Sequence, residues 1–197
     1  MRISSALLLL ALGGAVACFD PRPDASRYYT LSVEPGAIGP GGAAVPSLGV
    51  GPISFPPYLD RSEVATRVGP DQLQYSNADR WAAPLKDLFQ QALAEDLRGL
   101  SPSAQIVVWP WELSALPDLA VSIDVLRCEA ETSGAVVVDA RFALRAGSGG
   151  PVLASGETRF REEVSSIDFP KAAAALSRGV AALAADIAKS AAAHATR

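Results

Sequence analysis

The 197-residue chain has little of what enzymes commonly use for catalysis. It contains one histidine, His194, and two cysteines, Cys18 and Cys128. With one histidine there is no His-based catalytic triad outside the C-terminal tail, and no Cys/His spacing typical of a metal site. Residues 147–150 read Gly-Ser-Gly-Gly, which is typical of a hairpin turn and not of a nucleophile elbow. The sequence therefore predicts no enzyme, no metal site and no cofactor.

An excess of basic residues is also missing. The chain has 17 Lys and Arg against 21 Asp and Glu, a formal net charge of −4. Because the basic residues are scattered and the balance is acidic, we expect no nucleic-acid partner. Gly49 and Gly51 do not form a nucleotide-binding loop, since Pro52 follows at once and the third glycine is absent.

The chain has one apolar run, at its N-terminus, and it is too short to span a bilayer. Residues 1–17 have one basic residue, then an apolar stretch, then small residues, as in a secretory signal peptide. A cysteine directly after such a signal is a site where a bacterium attaches lipid. We therefore expect cleavage after Ala17, a lipid anchor on Cys18, a lipidated tether over residues 18–26 and one domain over residues 27–197.

A second interpretation uses the same residues. Ala15-Val16-Ala17 also fits ordinary signal peptidase, which would leave Cys18 unmodified and the protein soluble in the periplasm. If Cys18 is acylated, Cys128 is expected to be a buried, unpaired thiol. If it is not, a disulfide between Cys18 and Cys128 becomes possible.

Hydrophobic periodicity predicts an α+β fold: an antiparallel or mixed sheet with two main helices packed on one face, in a single domain. One helix is expected from Asn77 or Asp79 to about Gly99, starting later if Pro84 lies in its first turn. A second follows the N-cap Asp168, and its apolar stripe is Leu176, Val180, Leu183 and Ile187. Strands are expected over residues 27–33, from 47, over 63–68, 72–75 and 105–109, and then as an antiparallel meander over 119–131, 135–146 and 152–162.

Two carboxylates of the meander, Glu129 and Glu131, fall on the same face of their strand. A pair of this kind sometimes performs acid-base catalysis. Here a solvated strand end explains it better, and we expect both side chains to be exposed.

Four sequence blocks, taken together, resemble the PqiC-type auxiliary lipoproteins of ABC-type lipid transport systems. The blocks are Tyr-Tyr-Thr-Leu at 28–31, Gly-Val-Gly-Pro at 49–52 leading into Pro-Tyr-Leu-Asp-Arg at 57–61, Asp-Arg-Trp-Ala-Ala-Pro-Leu at 79–85, and Trp-Pro-Trp at 109–111. The resemblance covers nearly the whole chain after the signal.

This resemblance implies a non-catalytic protein on the periplasmic face of the bacterial outer membrane, held in the lipid by acylated Cys18. Its implied partner is an MCE-domain protein of an intermembrane lipid transport system, which it would dock, with a ring of identical subunits as one implied arrangement. Phe19, directly after the cysteine, is consistent with sorting to the outer membrane. Two other functions stay open: a periplasmic lipid or small-molecule carrier, and an envelope assembly factor unrelated to lipid traffic.

Two segments are candidates for contact with the partner. The first has aromatic residues stiffened by prolines, which lowers the entropy cost of binding, and the second has the tryptophans that dominate many interfaces. For both segments the alternative is packing within the domain. The candidate residues are Phe55, Pro57, Tyr58, Leu59 and Arg61 in the first, and Trp109 and Trp111 in the second.

Overall fold

The computed structural model describes residues 25–34, 47–164 and 168–194. Eight strands and two helices follow one another, with a short 3-10 turn at Pro57–Leu59. The strands are β1 (Arg27–Tyr29), β2 (Ser47–Ser54), β3 (Glu63–Gly69), β4 (Gln72–Trp81), β5 (Gln105–Val108), β6 (Leu119–Glu131), β7 (Ala135–Ala146) and β8 (Val152–Glu163); the helices are α1 (Leu85–Leu100) and α2 (Phe169–His194).

All eight strands form one mixed sheet, organised around the long strand β6. Antiparallel β7 pairs with β6 along nearly its whole length, and β8 pairs with β7. Two strands share the other edge of β6: β2 pairs with residues 119–124 and β3 with residues 130 and 131. Beyond β2 lies β5, and beyond β3 lie β4 and then β1. The sheet is therefore forked, and the β2–β3 connection lies at the fork.

The predicted meander of β6, β7 and β8 is confirmed. Alternate residues of β7, from Val138 to Leu144, are buried, whereas Arg141 between them is exposed. This alternation follows from the two-residue repeat of a strand with one face in the core and the other in water.

Both helices pack on the same face of the sheet, α1 over β2 and β5 and α2 over β7 and β8, and they contact each other. The α+β fold with two helices on one face of a mixed sheet, in a single domain, is thus confirmed. The stripe predicted for α2 is fully buried. Helix α2 comes close to the sheet at Gly179, where an added Cβ would lie 2.5 Å from Val138 Cγ2.

The helix start predicted at Asn77 or Asp79 was wrong, and the helix begins later, as the position of Pro84 allowed. Strand β4 continues to Trp81, and α1 begins at Leu85, directly after Pro84. Residues 79–81 pair with β1, so their backbone groups are satisfied in the sheet and not in a helical turn. The apolar residue Trp81, which fits the helical repeat by spacing, is a strand residue of the core.

Strand β1 is shorter than predicted, because the chain leaves the sheet after Tyr29 and crosses the helices. The backbone N–H of Ser32 donates to Ser177 Oγ of α2 (2.9 Å), and that of Glu34 donates to Asp96 Oδ1 of α1 (3.0 Å). The N-terminal part of the described domain therefore touches the sheet and both helices.

Ala17, Cys18 and the tether up to residue 24 lie outside the described residues. Within the described part of the chain, no helix combines the length and the hydropathy needed to cross a bilayer.

Candidate docking surface

The first candidate segment, residues 55–61, is largely built into the fork of the sheet. The ring of Phe55 packs edge-on against Phe89 of α1, with centroids 5.2 Å apart, and Leu59 is buried. Pro57 is exposed, and the guanidinium of Arg61 lies 4.5 Å from the centre of the Tyr75 ring. Most of this segment therefore holds the β2–β3 connection in place.

Tyr58 joins the same connection to a buried carboxylate on β6. Its hydroxyl donates to Glu129 Oε2 at 2.6 Å, and Arg67 and Arg127 donate to Glu129 Oε1 at 2.6 and 3.2 Å. The expectation of a solvated Glu129 was wrong: the residue is 1% exposed. Glu131 remains partly exposed and pairs with Arg127 and Arg161. The negative charge of Glu129 is tolerated in the core because donors satisfy both of its oxygens.

The electrostatics of this cluster favour a structural role. Burial, and then the hydrogen bond to Glu129, raise the pKa of Tyr58 well above its usual value, so the hydroxyl stays protonated and donates. The hydrogen bond to Glu129 raises the pKa of Arg67. The cluster thus ties the β2–β3 connection, β3 and β6 together through hydrogen bonds and ion pairs.

The second candidate segment belongs to the connection between β5 and β6, residues 109–118, which we call the β5–β6 loop. Trp111 packs against Gly49 of β2, and its indole N–H donates to the carbonyl of Val107 at 3.3 Å. Trp109 packs against Gly51 in the same way, with an added Cβ at Gly51 only 2.6 Å from Trp109 Cβ. The two glycines therefore let the loop approach β2 closely.

The same loop presents apolar side chains to solvent. Trp109 is 42% exposed, Leu116 49% and Leu113 91%. The start of β8 is close by: the N–H of Gly147 donates to the carbonyl of Asp118 in the loop, and Val152, 50% exposed, pairs with the end of β7. We call Trp109, Leu113, Leu116 and Val152 the apolar end of the sheet.

Sequence reasoning found Trp109 but missed Leu113 and Leu116. Their apolar character by itself predicts burial, and only the folded loop leaves them in water. A signal was present in the sequence, since Leu113 lies between Glu112 and Ser114 in a loop bounded by prolines. Single exposed leucines are common, so these two residues make the loop a candidate contact surface together with Trp109.

The N-terminal strand is fixed by a second buried carboxylate, Asp79 on β4. Arg27 and Tyr29 approach Asp79 Oδ1 at 2.8 and 3.0 Å, and the hydroxyl of Ser76 donates to Oδ2 at 2.7 Å. Although burial acts to raise it, these hydrogen bonds lower the pKa of Asp79 below its usual range. These contacts therefore hold β1, the first described strand, against β4.

These two features lie at different levels along β6. The β5–β6 loop leads into Leu119, the first residue of the strand. Strand β1 pairs with residues 79–81 of β4, Arg80 pairs with Glu63, and Glu63 lies shortly before Thr66, the partner of Ala130. β1 is therefore level with the second half of β6, roughly 25 Å along the strand from Leu119. Within the described residues, the first strand and the exposed apolar loop are thus well separated.

The described residues offer little catalytic chemistry. No group of three or more His, Cys, Asp or Glu side chains in them is arranged to hold a metal. Cys128 is a free thiol, as expected, and burial and then the charge of Glu129 raise its pKa to about 12. His194 ends α2, with its Nδ1 2.9 Å from the carbonyl of Ser190.

Two crystal structures share this fold. A protein described as uncharacterized is 20% identical, with a TM-score of 0.69 over 83% of this chain and 97% of that one. A protein of the DUF330 family from Xanthomonas campestris is 22% identical, with a TM-score of 0.66 over 82% of this chain and 91% of that one. No curated protein matches the sequence.

The sequence also matches a family model over residues 29–188, which is most of the chain. The match includes β2 with Gly49 and Gly51, the fork with Tyr58 and Glu129, the β5–β6 loop and most of α2. The chain therefore belongs to the family of ABC-type transport auxiliary lipoprotein components.

Proposed function

We propose that this protein is a non-catalytic docking component that links the periplasmic face of the bacterial outer membrane to an MCE-domain protein of an intermembrane lipid transport system. In this proposal residues 1–17 are removed as a signal peptide, Cys18 carries the lipid anchor, residues 18–26 form the tether, and the domain from residue 27 binds the partner.

The observation that carries the proposal is the separation of β1, which is level with the second half of β6, from the apolar end, which lies beyond the first residue of β6. A tether that enters at β1 holds that side of the domain near the membrane. The apolar end, with Trp109 and Leu113, then faces away from the anchor and toward the periplasm. A domain that bridges a membrane and a partner needs this arrangement.

The charged groups of the domain support a structural role and not a reactive one. Glu129 and Asp79 are each bound by several donors, and the exposed carboxylates of β8 pair with neighbouring arginines. A carboxylate whose oxygens are already bound by fixed donors is poorly placed to exchange a proton with a substrate. Binding through the apolar end is the role that these contacts leave available.

Affinity capture from detergent-solubilised envelopes of the native bacterium tests the proposal. The wild-type chain is expected to enrich an MCE-domain protein and to fractionate with the outer membrane. The Cys18→Ala variant is expected to lose the membrane fraction but still to capture the same protein in detergent. If mass spectrometry finds no MCE-domain protein with either variant, the proposed function is wrong.

A further inference from the structure

Carboxylates border the apolar end of the sheet. Glu112 and Asp118 lie on the β5–β6 loop, one on each side of Leu113 and Leu116 along the chain, and both are exposed. No lysine or arginine occurs in residues 99–126, which include β5, the whole loop and the first part of β6. The surface that presents the two exposed leucines is therefore also acidic.

The charge of these two carboxylates is not cancelled within the domain. Glu112 accepts a hydrogen bond from the hydroxyl of Ser114 at 3.4 Å, and Asp118 accepts one from the hydroxyl of Ser47. A hydroxyl donor leaves the charge of a carboxylate in place. Within the described part of the chain neither carboxylate forms an ion pair, whereas the exposed carboxylates of β8 are paired with arginines.

The basic residues of the neighbouring elements do not neutralise the loop either. Arg145 lies near the end of β7, where it pairs with Val152, and its guanidinium donates to the carbonyl of Gly150 at 3.3 Å. Arg98 of α1, which also donates to a carbonyl of β5, is paired with Glu95. One guanidinium therefore stands against the two carboxylates of the loop, and the apolar end keeps an excess of negative charge.

We propose that the apolar end binds an apolar segment flanked by lysine or arginine residues. The apolar side chains of this segment cover the two leucines and Trp109, and its basic side chains lie against Glu112 and Asp118. The inference rests on the proposed function, because it specifies the chemistry of the MCE-domain segment that the loop docks. Opposite charges around an apolar contact determine specificity and the rate of association more than they determine affinity.

Other occupants fit this surface less well. A bilayer that contains anionic lipid attracts basic side chains and repels carboxylates. A segment with acidic flanks is repelled in the same way, and an entirely apolar segment covers the carboxylates without giving them partners, which costs free energy. The same surface of a second copy sets two acidic loops face to face. A segment with basic flanks covers the leucines and pairs the carboxylates at once.

Two synthetic peptides with the same core of leucine and alanine test this chemistry. One has two lysines at each end, and the other has two glutamates at each end. The mature chain carrying Cys18→Ala is titrated with each peptide by isothermal titration calorimetry, and the lysine peptide is expected to bind at least about tenfold more tightly. Raising the salt concentration from about 50 to about 500 mM is expected to reduce the difference, because salt screens exposed charges.

Three further variants of this parent locate the lysine peptide on the loop. Leu113→Ser removes an apolar contact without a change of charge, and Glu112→Lys reverses one charge of the border; each is expected to weaken binding about fivefold or more. Asp71→Lys is the matched control, because Asp71 is exposed in the β3–β4 turn, near the last residue of β6. It has the same net charge as Glu112→Lys and is expected to bind as the parent does. Circular dichroism checks that each variant is folded.

Several results would overturn the proposal. They are no binding of the lysine peptide, equal binding of the two peptides, parental binding by Leu113→Ser, and an equal loss for Asp71→Lys and Glu112→Lys. Two more would overturn it by identifying another occupant of the surface. One is binding of the parent to vesicles containing phosphatidylglycerol that Leu113→Ser abolishes, and the other is a change in the sedimenting mass of the parent caused by the same substitution.

The peptide titration and the affinity capture fail independently. If the wild-type chain captures an MCE-domain protein but the peptides bind equally, this inference is wrong and the proposed function stands. If the lysine peptide is preferred but no MCE-domain protein is captured, the proposed function is wrong and the segment with basic flanks belongs to a protein of another class.

Discussion

The indole ring of Trp111 lies directly against Gly49. A methyl group added at Gly49 would be 2.6 Å from Cζ2 of the ring and 2.5 Å from Cγ of Pro117, closer than carbon atoms approach without repulsion. The glycine is what allows the β5–β6 loop to lie on β2, and the loop in turn carries Leu113 and Leu116 into solvent.

The first prediction concerns this contact. Gly49→Ala is expected to lower the free energy of unfolding by about 1 to 3 kcal/mol, because the added methyl group displaces Trp111 and Pro117. Gly99→Ala in α1 is the control, since nothing lies within 4 Å of its Cβ position, and alanine there is expected to be neutral or to stabilise the helix. Urea unfolding followed by tryptophan fluorescence measures both. Equal stability of the two variants would contradict the packing role of Gly49.

The second prediction concerns the buried carboxylate at the fork. Glu129→Gln removes the counter-charge of Arg67 and one of the two carboxylates that pair with Arg127, and it is expected to lower the free energy of unfolding by about 2 to 4 kcal/mol. Glu95→Gln removes a carboxylate from an exposed pair with Arg98 and is expected to cost less than about 1 kcal/mol. Denaturant unfolding compares them, and a Glu129 variant as stable as the Glu95 variant would refute the role of the cluster.

The third prediction concerns Asp96, which is only 2% exposed. Its Oδ1 accepts a hydrogen bond from the backbone N–H of Glu34, and its Oδ2 has no hydrogen bond among the described residues. Burial raises its pKa to about 6, the N–H of Glu34 opposes the rise, and the charges of Glu34 and Glu95 add to it. Since the folded state holds this proton more tightly than the unfolded state, stability is expected to fall as pH rises from about 4 to about 6 and then to level off.

Asp96→Asn is expected to remove this part of the pH dependence and to be the more stable protein at pH 7 to 8. Asparagine still accepts the hydrogen bond from Glu34 but carries no buried charge. Asp87→Asn, at an exposed position of the same helix, is the control and should leave the dependence of stability on pH in place. Thermal unfolding across pH 4 to 8 measures the effect. If the stability of the asparagine variant falls with rising pH as that of the wild type does, a group other than Asp96 causes the fall and the prediction is refuted.

The fourth prediction separates the two cysteines. Cys128 is expected to resist alkylation in the folded protein and to react fully in denaturant, because its thiol is buried and its pKa is raised to about 12. Cys18 is expected to incorporate a clickable fatty acid in cells, and Cys18→Ala is expected to remove all labelling. Equal labelling of the wild-type and Cys18→Ala proteins, or of neither, would refute the anchor.

The sequence predicts the β6–β8 meander and the stripe of α2 well, because local periodicity and short turns determine them. It does not predict the burial of Glu129, which depends on Tyr58 and Arg67, 71 and 62 residues away. The start of α1 was misplaced for a similar reason: residues 79–81 are held in the sheet by pairing with β1, some 50 residues earlier. A local sequence pattern does not show which segments far apart in the chain will come into contact.

The candidate docking surface, too, was predicted only in part from the sequence. Aromatic residues at 55, 58, 109 and 111 were noticeable in the sequence, yet three of the four pack substantially within the fold. The most exposed apolar residue of the loop is Leu113, and the only sequence signal for its exposure was its polar neighbours in a loop bounded by prolines. Its exposure follows from the placement of the folded loop and not from its residue type.

The most direct test of the docking proposal is the affinity of the purified MCE-domain protein for wild-type protein and for Leu113→Asp. Because Leu113 is 91% exposed, the variant is expected to keep its free energy of unfolding within about 0.5 kcal/mol. It is also expected to bind at least about tenfold more weakly. Val68→Asp, at an exposed apolar residue on the opposite side of the fork, is expected to bind as the wild type does. Wild-type affinity for Leu113→Asp, or an equal loss for Val68→Asp, would contradict docking through the apolar end.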